Sequence, residues 1–243
     1  MDADDIRTAL DKISEQLGLT DPVIALSQAD DYSPFEPVIE FAGKGHQCVW
    51  AAYNDWKAGK TLALSAGKHG CSGAGRSLLN LPAPEGFDIV KMLYDVEGLK
   101  ASRELVEQFL DNQVRYKPTH KYVLVGPLRP ELIEMADTVS FLVNPDQLSA
   151  LVTAALYHTA EFAPNTIRTI MCSGCCLLAP FGDEKKPLAT IGAMDMAMRP
   201  YVPTDLIAFT VNIPMFEQII TMDDNNFLNK SFWNRVRKAR EKE

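Results

Sequence analysis

The feature that most constrains the fold is a series of short apolar runs, which are separated by segments with helical spacing. Short runs bounded by proline, glycine or polar residues are typical of strands, whereas apolar residues three or four positions apart indicate a helix. The predicted strands cover residues 22–27, 61–65, 122–125, 139–143, 166–171, 188–191 and 206–211. The predicted helices cover residues 5–17, 47–58, 76–80, 87–93, 101–114, 146–160, 214–222 and 226–243. This succession predicts a mixed α/β fold.

Length and composition are compatible with one compact domain that spans residues 1–243. Of the 243 residues, 47% are hydrophobic and 23% are charged, which is sufficient for a substantial core. The net charge of −8 argues against non-specific binding to nucleic acid.

The N-terminus and the longest apolar segment indicate where the protein resides. Residues 1–18 are acidic and lack the cationic and apolar parts of a secretory signal. The apolar segment 148–157 contains polar residues and is too short to cross a bilayer. We therefore expect a cytoplasmic protein with no membrane partner, and a homo-oligomer is compatible with the sequence.

Two stretches share an order of parts and predict a weak internal repeat of residues 22–80 and 139–180. Each has a strand, a helix that contains a tyrosine, a second strand and the tripeptide Cys-Ser-Gly, at residues 71–73 and 172–174. A true duplication would give two pseudo-symmetric βαβ halves. It would also bring the two Cys-Ser-Gly turns together in space.

The cysteines are expected to be free thiols or metal ligands rather than structural disulfides. There are five of them, an odd number, and the expected compartment is reducing. They are Cys48, Cys71, Cys172, Cys175 and Cys176.

Three of these cysteines lie in one turn, residues 172–176, directly after a predicted strand. The C-x-x-C spacing of Cys172 and Cys175 lets two thiolates reach one metal from a single turn. In α/β sheets, ligands usually bind at the carboxyl ends of strands. Gly174 leaves backbone amides that can donate to a sulfur or an anion. Metal or cluster ligation, thiol redox chemistry and burial of small residues without chemistry all remain open for this turn.

A second cysteine lies in a glycine-rich segment, residues 70–75, before a predicted helix. The segment matches neither the dinucleotide fingerprint nor the phosphate-binding loop. Gly73, Gly75 and Arg76 are candidates for holding an anionic group at the helix start, and Cys71 for a metal ligand or a thiolate of lowered pKa. A tight turn without a ligand explains the glycines equally well. A further hypothesis is a zinc site of two histidines and two cysteines, formed by His46, Cys48, His69 and Cys71.

The order of these parts resembles domain-of-unknown-function family 169, the uncharacterised prokaryotic ArCR family, from about residue 22 to residue 214. The matching elements are Cys48 before an alanine-containing helix, Cys71 with Gly73, Asn144-Pro145 followed by Gln147 and Leu148, Cys172 after a strand, and Ile213-Pro214. The resemblance implies no particular activity. It implies that the cysteine turns form the shared site of the family.

The cysteines lead to the hypothesis of a metal- or iron–sulfur-binding protein that carries out redox or small-molecule chemistry. The expected ligands are Cys71, Cys172 and Cys175, with Cys48 or Cys176 as the fourth. The expected cofactor is an iron–sulfur cluster of the [4Fe–4S] type, with zinc as the alternative metal. The expected partner is a small molecule or an electron-transfer protein.

Two alternatives belong to other classes of protein. In the first, the chain is a binding module for a tetrapyrrole or another flat anionic ligand, whose acidic group Gly73, Gly75 and Arg76 would hold. Trp50, Tyr53, Met194, Met196 and Met198 would line the apolar wall of that site. In the second, the chain is a thiol-dependent enzyme with Cys71 as the nucleophile.

Overall fold

The computed structural model describes residues 1–42, 46–160, 166–169, 175, 178 and 185–240. Within these residues the strands are β1 (Ile24–Ala29), β2 (Val38–Glu40), β3 (Thr61–Leu64), β4 (Tyr122–Pro127), β5 (Ala136–Val143), β6 (Ile167–Thr169), β7 (Ala189–Gly192) and β8 (Ile207–Asn212). The helices are α1 (Ala3–Leu17), α2 (Tyr53–Lys57), α3 (Ser72–Leu78), α4 (Ile89–Lys91), α5 (Arg103–Asp111), α6 (Pro145–Ala155), α7 (Ile213–Ile220) and α8 (Ser231–Arg240). The predicted α/β fold is confirmed.

The eight strands in the described part of the chain form one mixed sheet in the order β2-β3-β4-β1-β5-β8-β7-β6. The inner strands pair antiparallel, whereas the outer pairs, β2 with β3 and β6 with β7, are parallel. Strands β1–β4 and strands β5–β8 therefore follow the same path, each with its parallel pair at an edge of the sheet. The antiparallel pair β1–β5 joins the two halves.

This arrangement agrees with the predicted internal repeat only in part. Strands β1 and β5 hold equivalent places in the sheet, as the repeat predicts, but the equivalent of β3 is β7 rather than β6. The repeat itself stays a prediction. The second Cys-Ser-Gly turn, at residues 172–174, lies outside the described residues.

The two faces of the sheet carry separate apolar cores. Because side chains alternate along a strand, Leu142 of β5 belongs to one core and Phe141 to the other. The first core packs α2, α3 and the turn before α2 against β1, β3 and β4. The second core packs α1, α6, α7 and α8 against β5 and β8.

Helix α1 begins and ends with capping groups that the sequence supplies. The carboxylate of Asp2 accepts from the N–H of Asp5, and Gly18 adopts the left-handed conformation (φ 66°) that ends the helix. Its buried residues, Ile6, Ile13 and Leu17, lie in the core of the second half of the sheet. The indole N–H of Trp233 in α8 donates to the carbonyl of Gln16 over 2.8 Å.

Several element boundaries differ from those predicted. The helix predicted for residues 47–58 is a 3₁₀ turn, Val49–Ala52, followed by the short α2. The helix predicted for residues 87–93 is α4 followed by a π-helical turn, Met92–Val96. Strand β2 was not predicted at all. Among the described residues, no helix is both long and apolar enough to cross a membrane.

Candidate functional site

Cys71 lies at the start of α3, seven residues after β3 ends. It is the N-cap residue of this helix, and its sulfur accepts a hydrogen bond from the N–H of Ala74 at 3.3 Å. The preceding residue, Gly70, has a φ of 78°, which glycine adopts at little cost. Glycine at position 70 and the cap geometry thus direct the Cys71 thiol.

Cys48 lies on the crossover between the parallel strands β2 and β3, where it precedes the 3₁₀ turn and is buried. A backbone hydrogen bond of 3.0 Å from Gln47 N to Gly70 O joins its segment to that of Cys71. The contact is tight, since a Cβ on Gly70 would lie 2.4 Å from the carbonyl oxygen of Gln47 and 2.6 Å from the ring of Phe41. Two segments of chain are therefore held side by side at the cysteines.

Cys175 comes from the other parallel crossover, between β6 and β7, and is also buried. It belongs to the same core as Cys48, and Cys71 packs against that core. The thiol of Cys175 donates a hydrogen bond to the sulfur of Cys71. Three of the five cysteines, from distant parts of the sequence, thus converge.

The surroundings of Cys71 and Cys48 shift the pKa values of the two thiols in opposite directions. The hydrogen bond from Cys175 lowers the pKa of Cys71 from 9.0 to about 6, although burial acts in the opposite direction. The backbone N–H of Ala74 and the charge of His46 contribute to the lowering. Burial raises the pKa of Cys48 to about 11, and negative charge on Cys71 adds to this effect. Cys71 is thus more acidic than an ordinary cysteine, whereas Cys48 is less acidic.

A cavity of about 150 Å³ opens beside these cysteines. One side is formed by the cysteines and by the start of α3. The other side is formed by residues 87–113, which belong to the long connection between β3 and β4 and which we call the roof. The lining residues are His46, Cys48, Cys71, Ser72, Gly73, Arg76, Ser77, Phe87, Ile89, Met92, Leu93, Glu97, Phe109, Leu110, Gln113, Cys175, Asp195 and Ala197.

Polar contacts with α3 hold one end of the roof. The guanidinium of Arg76 donates to the side-chain oxygen of Gln113 at 3.0 Å and to the carbonyl of Leu110 at 3.1 Å. The amide of Gln113 in turn donates to the hydroxyl of Ser77 at 3.1 Å. The backbone of Ser77 accepts from the N–H of Tyr116 at 2.9 Å. The end of α5 and the residues after it are thereby fastened to the helix that begins with Cys71.

Two carboxylates, Glu97 and Asp195, and one histidine, His46, also line the cavity. Burial and the nearby charge of Asp195 raise the pKa of Glu97, whereas His46 acts in the opposite direction. Negative groups therefore lie close enough to one another to interact within the cavity.

The structure gathers some of the sequence-predicted residues at this site and places others elsewhere. Cys48, Cys71, Cys175, Gly73 and Arg76 line the cavity. Cys172, Cys176 and Gly174 lie outside the described residues.

Gly75 does not reach the cavity. It is buried beneath His69, whose ring would be 3.0 Å from an added Cβ. His69 itself bonds to the carbonyl of Cys71 at 2.9 Å rather than lining the cavity. In the described ranges, no three His, Cys, Asp or Glu side chains are grouped so that they could hold one metal ion.

The apolar wall differs from the one that the sequence predicted. Trp50 and Tyr53 lie in the core and do not line the cavity. The expectation that Met194, Met196 and Met198 line this wall is wrong, because none of them lines the cavity: Met198 is buried in a turn and the other two are exposed. The roof provides the wall instead.

Sequence reasoning missed the carboxylates and the role of the roof. The apolar residues of the roof were assigned to a helix, but nothing in their spacing indicated that they face the cysteines. Asp195 follows β7 in an irregular segment and belongs to no motif. Only the three-dimensional arrangement reveals these residues.

The fold and the site together define a mixed α/β protein with a cysteine-lined cavity. Residues 12–222 match the family DUF169, described as uncharacterised ArCR. The chain belongs to this family. Comparisons with curated proteins and with solved structures find no match.

Proposed function

We propose that this protein binds an iron–sulfur cluster or another thiophilic metal centre through Cys48, Cys71 and Cys175, beside a cavity that admits a small molecule. The supporting observation is the convergence of these three cysteines at one cavity. Thiolate ligands are a common means of binding such centres. The lowered pKa of Cys71 favours the thiolate, which is the form that binds a metal.

A cluster and a single zinc ion space their thiolates differently. Thiolates around one zinc lie about 2.3 Å from it, and their sulfurs crowd together, as those of the hydrogen-bonded Cys71 and Cys175 do. In a cluster, different thiolates bind different irons, so the sulfurs stand further apart. No three donors in the described part of the chain are grouped closely enough for one ion, so a zinc ion would need ligands beyond them. We expect the fourth ligand to be Cys172 or Cys176, which are within three residues of Cys175 in the sequence.

Metal analysis of protein purified without oxygen tests this proposal. We expect about four irons and four acid-labile sulfides per chain, with the broad visible absorbance of a cluster. Cys71→Ser should lose most of the iron. Ala197→Ser, which changes an exposed residue of the same cavity, should retain it. Wild-type protein with neither iron nor zinc would overturn the proposal.

The contacts of Cys71 favour a second candidate, a thiol-dependent enzyme. Its sulfur accepts from Ala74 N and from Cys175 and faces the cavity, as an activated nucleophile would. Treatment of the protein as isolated with iodoacetamide separates the two candidates. Immediate alkylation of Cys71 in a colourless protein supports the enzyme, whereas protection that ends on metal removal supports the metal centre.

The size of the cavity does not favour a tetrapyrrole. At about 150 Å³, it is smaller than the roughly 300–1,000 Å³ that is usual for sites of drug-sized ligands. Arg76, the residue expected to hold an acidic group, already donates to Gln113 and Leu110.

A further inference from the structure

The first part of the roof is packed less tightly than the rest of the chain. In the range 80–105, which is fully described, no residue is buried, whereas Val106 and Leu110 further along the roof are buried. Yet the range contains four apolar side chains, Phe87, Ile89, Met92 and Leu93, that line the cavity and are half-buried. The part of an apolar side chain that faces a cavity lacks van der Waals contacts with other protein atoms. A ligand in the cavity would bury these side chains and would stabilise the roof.

The size of the cavity limits what can fill it. An engineered cavity of about 150 Å³ lined by Leu, Ile and Phe binds benzene. The present cavity has the same volume, and two phenylalanines, Phe87 and Phe109, contribute to its lining. One aromatic ring, or an aliphatic group of equal size, therefore fits.

The charges at the cavity restrict the ligand further. Two carboxyl groups, those of Glu97 and Asp195, line the cavity, and the imidazole of His46 lies with them. The positive group of Arg76 is bonded to Gln113 and Leu110, which turns its donors toward the protein. An anionic ligand would lose its hydration and gain repulsion on entry.

We propose that the cavity binds a compact apolar molecule, about the size of one aromatic ring and without negative charge, between the roof and Cys71. The inference deepens the proposed function, since the molecule would lie against the cysteine centre. Contacts with Phe87, Met92 and Leu93 would supply the affinity.

Binding of simple ring compounds tests the proposal. Titration calorimetry of the purified protein with benzyl alcohol, benzylamine and benzoate should show saturable binding of the first two at one site per chain. We expect benzoate to bind about tenfold more weakly or not at all, a difference of about 1.4 kcal/mol. Equal binding of benzoate would overturn the charge preference, and no binding of any of the three compounds would overturn the site.

Two substitutions on the same π-helical turn locate the site. Leu93→Trp should fill the cavity and weaken the binding of benzyl alcohol about tenfold or more. Val96→Trp introduces the same side chain at an exposed position that does not line the cavity, and binding should be unchanged. Equal effects of the two would place the ligand elsewhere. If Leu93→Trp does not fold, Leu93→Ala should instead admit naphthalene, which the wild type should exclude.

The Cys71→Ser variant separates this inference from the proposed function. The variant lacks the Cys71 sulfur and leaves every residue of the roof unchanged. Benzyl alcohol binding that persists in this variant supports the cavity whatever the metal analysis shows. Binding lost in both the variant and metal-free wild type would mean that the ligand is held by the centre and not by the roof.

Discussion

The backbone N–H of Gln47 donates to the carbonyl oxygen of Gly70 over 3.0 Å, and this bond joins the segments that carry Cys48 and Cys71. It brings together two cysteines that the sequence separates by 22 residues. The absence of a side chain at position 70 permits the contact, since an added Cβ would collide with the Gln47 carbonyl and with Phe41.

Gly70→Ala should therefore separate the two segments. We expect it to destabilise the protein by about 1–3 kcal/mol more than Gly59→Ala does. Gly59 is the matched control because its φ of 80° is almost the same but no atom lies within 4 Å of an added Cβ. Urea unfolding measures both free energies. Equal losses of stability in the two variants would show that the collision of an added Cβ at position 70 costs no free energy.

The acidity of Cys71 predicts its reactivity in metal-free protein. With a pKa of about 6, its rate of alkylation by iodoacetamide should reach half its maximum near that pH, because the thiolate is the reactive form. Cys48, whose pKa is about 11, should react slowly throughout the neutral range. Peptide mapping by mass spectrometry distinguishes the two sites. A Cys71 profile centred near its ordinary pKa of 9.0 would contradict the hydrogen bond from Cys175.

The lowered pKa of Cys71 also sets the sign of a contribution to stability. Its folded pKa lies below the unfolded one, so the folded thiolate stabilises the protein above pH 9 and loses this contribution as the pH falls toward about 6. Cys71→Ser should remove that dependence in metal-free protein, as urea unfolding at several pH values would show. An unchanged dependence would mean that another group causes it.

The hydrogen bonds of Arg76 should stabilise the C-terminal end of the roof. Arg76→Leu removes the bonds to Gln113 and Leu110, and we expect faster hydrogen exchange in α5 and a loss of about 1.5–3 kcal/mol in stability. Lys91→Ala, an exposed change within the roof, is the control. Hydrogen exchange with mass spectrometry resolves the segment, and unaltered exchange in α5 would exclude this stabilising role.

Asp137 should make the protein less stable as the pH rises above the ordinary aspartate range. Burial raises its pKa, although hydrogen bonds from Tyr116 and Gln28 oppose the effect. The folded carboxyl thus keeps its proton to higher pH than the unfolded one, and stability falls as the pH rises from 3.8 through the raised pKa.

Asp137→Asn should flatten this part of the stability profile in urea unfolding. Asp55→Asn, which changes a partly exposed carboxylate paired with Lys60, should leave the profile as it is. A fall of stability that persists in Asp137→Asn would assign it to another residue.

The sequence predicted best the elements whose ends carry local signals. Helix α6 begins where Asn144 caps it and Pro145 follows, and both residue types are typical of a helix start. Strand β2 carries no such signal, because it is a three-residue edge strand with a single parallel neighbour. Its pairing with β3 is a long-range contact, which periodicity cannot indicate.

The same distinction applies to the site. The cysteines were identifiable as residues with chemistry, but their meeting depends on two parallel crossovers, β2 to β3 and β6 to β7. Asp195 reaches the cavity through tertiary packing and has no neighbouring motif. The sequence therefore indicated which residues can carry chemistry, but it did not indicate which of them lie close together.

Helix α1 precedes the first half of the sheet in the chain but packs beneath the second half, where Ile6 and Leu17 join the core around Phe141. Helix α1 therefore connects the two halves, because it is continuous in sequence with the first half and packed in the core of the second. Separation of the halves would expose the apolar face of this helix. We expect calorimetry to record one unfolding event rather than two. We therefore expect a sheet that could otherwise separate at the pairing of β1 with β5 to unfold as a single cooperative unit.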